Sequence, residues 1–131
     1  MSRAKIEHRA GAAAVLQADA PGGGYAVVFE DDGETGYLYG LNLTGAGPAD
    51  NLIVDALHLY NVSAMDHRQR AYTIEIHWAA DRNRAGLFIG EVCQAVFDFD
   101  ENRAVCRTGF PPARGDFSCT HEWDESLASG F

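Results

Sequence analysis

Large apolar residues recur at every second position through most of this chain, which is the period of a strand with one face buried. In residues 25–29 (YAVVF) the odd positions Tyr25, Val27 and Phe29 carry the bulk; in residues 37–41 (YLYGL) the odd positions Tyr37, Tyr39 and Leu41 do. Between them lie four carboxylates, Glu30, Asp31, Asp32 and Glu34, around Gly33. A polar loop with glycines tolerant of positive φ is what a hairpin needs. Setting Phe29 opposite Tyr37 puts Val27 opposite Tyr39 and Tyr25 opposite Leu41, and all six then share one face. A calcium loop would need oxygen ligands at alternate positions and a bidentate Glu downstream. Asp31 and Asp32 are adjacent and that Glu is missing, so the loop reads as a solvated turn.

Residues 51–62 (NLIVDALHLYNV) fit two templates. Leu52, Ile53, Ala56, Leu57 and Tyr60 form a helical stripe with Asp50 as N-cap, whereas the dense apolar content and the ending HLYNV suit a buried strand. The strand is favoured. Alternation then returns in residues 72–78, with Tyr72, Ile74, Ile76 and Trp78 on one face and Thr73, Glu75 and His77 on the other. Residues 87–107 read as three short strands with turns at Gly90-Glu91 and at 100–103. A hairpin turning on Glu101 and Asn102 sets Phe97 opposite Cys106 and lines up Cys93, Ala95, Phe97 and Phe99 on one side. Cys93 and Cys106 then share a face without being opposite, too far apart for a disulfide. Pro111-Pro112 and Gly115 stop regular structure, and an irregular tail pinned by Phe117 and Trp123 follows.

The expected fold is therefore mainly β, a single antiparallel meander sheet that rolls into a barrel or a small sandwich, with at most one or two short helices. The 131 residues, 47% of them hydrophobic, fit one globular domain. Residues 1–12 are expected as a loose N-terminal segment and residues 125–131 as a loose tail.

Charge narrows the partners. With 19 acidic and 10 basic residues the net charge is −9, so nucleic acid and anionic membrane surfaces are repelled and cationic partners attracted. The arginines lie in scattered pairs (Arg68 with Arg70, Arg82 with Arg84) and form no basic stripe. Three cysteines (Cys93, Cys106, Cys119) do not make a disulfide scaffold, which points to a reducing, cytoplasmic setting. The first twenty residues imitate a signal peptide, but Glu7 and a short Ala- and Gly-rich apolar part spoil the likeness. No segment is apolar over the ~20 residues that a membrane span requires.

Candidate chemistry has a plain structural rival at each place. Cys119 and His121 lie on one side of an extended segment and suit a thiolate–imidazolium pair, yet no oxyanion hole or orienting group accompanies them. His121, Glu122 and Asp124 around Trp123 lack the spacing of a zinc protease or deaminase. His58, His77 and His121 make a three-His site only if the fold gathers them. Arg114-Gly115-Asp116 has the form of an integrin-recognition tripeptide and reads as a turn. Phosphate-loop, dinucleotide and serine-elbow motifs are missing from the sequence. No catalytic, cofactor-binding or metal-ligating residue is assigned, and no cofactor is expected.

The blocks VVFEDDGETGYLYGLN, DALHLYNV, IEIHW, QAVFDF, CRTGFPP and HEWD, in that order from about Tyr25 to Asp124, resemble an uncharacterised bacterial family, domain of unknown function 2251. The resemblance implies a small single-domain bacterial protein and carries over no catalytic residues. From the residues themselves, the leading expectation is a non-enzymatic acidic domain that binds a basic protein, of the immunity type that neutralises a basic toxin. Its expected contacts are Glu30, Asp31, Asp32, Glu34, Asp98, Asp100 and Glu101. One alternative is a ligand-binding or hydrolytic enzyme with a pocket lined by Tyr60, Trp78 and His58, joined by Tyr25 and Tyr39. The other is a homodimer formed along an exposed strand edge.

Overall fold

The structure, a computed structural model, describes residues 3–44, 53–64, 70–80, 82–113, 117 and 120–131. Nine strands are formed among them: β1 (Arg3–His8), β2 (Ala14–Asp19), β3 (Tyr25–Asp31), β4 (Thr35–Asn42), β5 (Ile53–Asn61), β6 (Tyr72–Trp78), β7 (Arg84–Ile89), β8 (Val92–Asp98) and β9 (Arg103–Cys106). Helical structure among the described residues is limited to two 3-10 turns, Val62–Ala64 and Glu125–Ala128. None is long and apolar enough to cross a membrane.

Every pairing is antiparallel. Strands β2-β3-β4-β5 make a four-stranded sheet and β1-β6-β7-β8-β9 a five-stranded one. The mainly β, antiparallel expectation holds in its small-sandwich form; the described strands make two sheets, and neither closes into a barrel. The ambiguous run after residue 50 is strand β5 from Ile53; Asp50, offered as a helix cap, lies outside the described residues.

The two inner faces meet in one core. Val27, Phe29, Leu38, Leu57 and Leu59 come from the four-stranded sheet, and Ile74, Ile76, Trp78, Leu87, Ala95 and Phe97 from the five-stranded one. Alternation in β6 lands as its sequence indicates, with Ile74, Ile76 and Trp78 buried. Each fully buried Leu, Ile or Phe contributes on the order of 1.5–3 kcal/mol.

Residues 3–8 and 123–131 belong to the fold, contrary to the expectation of loose segments there. β1 pairs along its whole length with β6, Arg3 opposite His77 through His8 opposite Tyr72. Its short alternation, Ala4, Ile6, His8 inward, is what lets it join. At the other end Trp123, Leu127, Ala128 and Phe131 pack on Phe88, Cys93, Val96 and Val105, the outer face of the five-stranded sheet. Arg84 holds this strap by donating from Nη1 to the Leu127 carbonyl at 2.7 Å, with its guanidinium 4.5 Å from the Phe131 ring centre. Phe117 packs against Phe97 and Phe99.

The cysteine geometry differs from expectation through a one-residue bulge in β8 and a two-residue shift of the β8–β9 register. A bulge moves the register between Leu87 opposite Ala95 and Phe88 opposite Cys93, with Gln94 the extra residue. Cys93 is thereby turned out beneath the C-terminal strap. Cys106, paired with Ala95 rather than Phe97, stays in the core. Both thiols are free and buried, on opposite faces.

Candidate functional site

The acid-rich hairpin folds with a register one residue away from the one that gathers the aromatics. Phe29 faces Leu38, Val28 faces Tyr39, Glu30 faces Tyr37 and Asp31 faces Gly36. The inner face of β4 is therefore Gly36, Leu38 and Gly40, and Tyr37 and Tyr39 turn outward. Glycine explains the choice: a Cβ on Gly36 would come within 2.5 Å of the Tyr60 ring, and one on Gly40 within 2.5 Å of the Phe97 ring. The core is filled by aromatic rings from β5 and β8 lying over bare backbone, so the bulky residues of β4 are not needed inside.

Asp31, at the base of the loop, is 1% exposed. Its Oδ2 accepts from His8 Nε2 at 2.8 Å, the Tyr60 hydroxyl at 2.7 Å and the Gly11 N–H at 2.8 Å, and its Oδ1 accepts from the Gly33 N–H at 2.9 Å. Burial by itself pushes this carboxyl up, but the Tyr60 hydroxyl, then Gly11, Gly33 and His8, outweigh it and hold the pKa below the usual carboxylate value. Burial first, then the bond to Asp31, drives the Tyr60 hydroxyl the opposite way, far above the ordinary phenol. A bulge in β5 makes this geometry possible. The register passes from Tyr37 opposite His58 to Gly36 opposite Tyr60, so Leu59 is the extra residue and Tyr60 swings inward. The triangle is a closed clamp joining the β1–β2 turn, the hairpin and β5, with each acid–base group spent on another.

At the tip, Asp32 is exposed and its Oδ1 accepts from the N–H groups of Glu34 and Thr35, both at 2.9 Å, which hold its carboxyl below the usual range. The Glu34 carbonyl accepts from Val62 N–H at 2.8 Å, docking the 3-10 turn against the tip. Gly33, Glu34, Thr35, Asn61, Val62 and Ser63 border a groove of about 400 Å³ there. The tip is preorganised by its own carboxylates, and Glu34 remains exposed.

Above the tip, on the outer face, Tyr37 and Tyr39 stack with ring centres 5.7 Å apart, and His58 meets Tyr37 edge-on at 5.6 Å. All three are half-buried, as is Glu30 beside them. Burial, then the neighbouring Glu30 carboxylate, raises the Tyr39 hydroxyl to about 12. An aromatic row with polar edges thus adjoins Glu30 and Asp32. Sequence alternation missed this row because it assigns large aromatics to the core.

The second group of acids is built into a turn. Asp98 is 0% exposed, accepts the N–H groups of Asp100 and Glu101 on Oδ1 and pairs with Arg82 Nη2 at 2.9 Å. Asp100 binds the backbone and side chain of Asn83, and Glu101 projects into solvent. Of the seven expected contact carboxylates, Asp31 and Asp98 therefore face inward and are out of a partner's reach.

The described histidines are distributed. His121, 2% exposed, has Nε2 2.7 Å from Asp55 Oδ2 and its Nδ1 on the Pro111 carbonyl; a carbonyl only accepts, so this ring is committed on both sides. His77 pairs with Glu75 at 2.6 Å on the outer face of the five-stranded sheet. His58 lies on the outer face of the other. Cys119 and residues 114–116 lie outside the described residues. The aromatic set Tyr25, Tyr39, Tyr60, Trp78 and His58 also disperses. Tyr25 and Trp78 both stack on Phe99, at one end of β6, whereas Tyr60 lies toward the other end near Tyr72, and Tyr39 and His58 face outward.

The family model described as "Uncharacterized protein conserved in bacteria (DUF2251)" matches residues 8–131. A protein of Haemophilus influenzae described as "Uncharacterized protein" is 46% identical over 76 residues, a stretch covering 57% of this chain and 45% of that relative. The match thus spans under half of the relative's length. No solved structure matches the chain.

Proposed function

The chain belongs to the bacterial DUF2251 family, and for this member we propose a non-catalytic protein-binding role, with a basic partner held on the outer face of the four-stranded sheet. The observation that carries the reading is the Tyr37–Tyr39–His58 row lying half-exposed beside Glu30 and above the rigid tip of Asp32 and Glu34. Tyrosine supplies large contact area at low entropic cost and is enriched at protein interfaces. Its π-face accepts arginine or lysine, and adjoining carboxylates pair with the same cations. A net charge of −9 speeds encounter with a basic protein. A nuclease, whose substrate groove must be positive, is a partner of the right chemistry, and neutralising such a toxin is the biological setting that suits it.

Titrating isotopically labelled protein with a small basic ribonuclease and, separately, with an arginine-rich peptide tests this. Amide shifts concentrated at Glu30, Glu34, Tyr37, Tyr39 and His58, and binding weakened by Tyr39→Ala as well as by Glu34→Lys, are expected. Shifts spread equally over distant acids such as Glu91 and Glu122, or a Tyr39→Ala variant that binds as the wild type does, would overturn it.

A further inference from the structure

The four-stranded sheet ends in β2, and the direction of its unpaired groups follows from one bond. Ala20 N–H donates to the Tyr25 carbonyl at 2.8 Å. In an antiparallel ladder, directly opposite residues alternate between bonded and non-bonded pairs. With Ala18 opposite Val27, Leu16 opposite Phe29 and Ala14 opposite Asp31, these three are the residues bonded to β3. Val15, Gln17 and Asp19 direct their N–H and C=O groups to the open edge, and among the described residues no protein group meets them. Natural sheet edges are protected by lysine, proline, bulges or a covering segment. The sequence AVLQAD of β2 has neither lysine nor proline, and its register with β3 is unbroken. Val15 is 65% exposed, more than any other large hydrophobic side chain described. Space adjoins both ends of the edge: a groove of about 450 Å³ bordered by Arg3, Ala4, Gln17, Ala18 and Asp19, and one of about 390 Å³ that includes Glu7, Arg9, Ala13 and Ala14.

We propose that β2 pairs antiparallel with β2 of a second copy of this chain across a two-fold axis, joining two four-stranded sheets into one of eight strands. The strand is complementary to itself in that orientation. Its only charge, Asp19, stands at one end, so antiparallel pairing carries it away from its twin and toward the partner's Ala13 and Ala14, beside the turn that carries Arg9. The apolar middle, Val15 and Leu16, lies near the axis. Hydrogen-bond parity requires Val15, Gln17 and Asp19 to face odd-numbered residues of the other β2. This surface is separate from the aromatic face, which the pairing leaves open twice over on one continuous sheet.

Two chains of net charge −9 repel at long range, so added salt strengthens this association, whereas it weakens capture of a basic partner. The test is sedimentation of the purified chain over a wide concentration range at low and high salt, with amide exchange read residue by residue. The expected result is a monomer–dimer equilibrium that moves toward dimer with salt, with slow exchange at Val15, Gln17 and Asp19 in the dimer only. Gln17→Pro removes an N–H that β3 does not use, and it should abolish the dimer while leaving the thermal midpoint within a few degrees. Val15→Glu, which places like charges near the axis on a solvent-facing side chain, should weaken the dimer several-fold and guards against misfolding of the proline variant. A wild type that stays monomeric under all conditions overturns the proposal. So does a dimer that both variants retain, or a dimer in which those amides exchange fast.

Discussion

Asp31 shows how far one side chain can depart from the part its sequence context assigns. Among Glu30, Asp32 and Glu34 it reads as one more solvated loop acid, yet it is the buried acceptor on which His8, Tyr60 and two backbone N–H groups converge. Nothing local marks it, because its donors come from residues as much as 29 positions away. Tyr60→Phe removes the strongest of the contacts that lower its pKa, and unfolding in urea should show a loss of about 1.5–3 kcal/mol, the worth of a hydrogen bond to a charged group. The pH dependence has a definite sign. A carboxyl whose folded pKa lies below its unfolded value near 3.8 stabilises the fold above that value and loses the contribution as pH falls through the folded pKa. In Tyr60→Phe the folded pKa rises, so acid unfolding should begin at higher pH than in the wild type. Tyr39 offers a second check: its phenol, raised to about 12, should ionise well above the ordinary phenol range in an ultraviolet titration.

From Tyr25 onward the strands were legible as strands, whereas β1 and β2 were not; the way the strands pair was not legible. Residues 25–29, 37–41, 53–61 and 72–78 all fall in β structure where period-two alternation puts it. The β3–β4 register nevertheless differs by one residue, and a one-residue shift exchanges the two faces of a strand. Counting bulk favours Tyr37 and Tyr39 as core residues, but Gly36 and Gly40 are inside, because rings from β5 and β8 occupy the space beside them. Gly36→Ala and Gly40→Ala should each cost about 1–3 kcal/mol in thermal or urea unfolding, the usual penalty for overpacking. An alanine at either site that is neutral or stabilising would argue for the other register. The bulges at Leu59 and Gln94 escape sequence reading for the same reason: each aims a side chain, Tyr60 or Cys93, at a partner that exists only once the sandwich has closed.

At the scale of the molecule, a two-sheet core is supplemented by a third, partial layer formed by the C-terminal strap over β7, β8 and β9. Burial beneath it pushes the Cys93 thiol up to about 11, so native Cys93 should resist alkylation near neutral pH. Trp123→Ala, which thins the strap where Arg107 lies over the indole at 4.2 Å, should expose the thiol and speed its alkylation several-fold in peptide mapping, with about 1–3 kcal/mol of stability lost. The sequence by itself determined the strand segments from Tyr25 onward, the antiparallel β class and the acidic character, because alternation and net charge are properties of the chain taken locally or summed. Only the tertiary structure decided which face of β4 is buried, that Asp31 and Asp98 are interior, and that residues 3–8 and 123–131 are anchored. Those outcomes depend on how rings fill the space over glycines and on hydrogen-bond donors far away in the chain, and neither is written into any one segment.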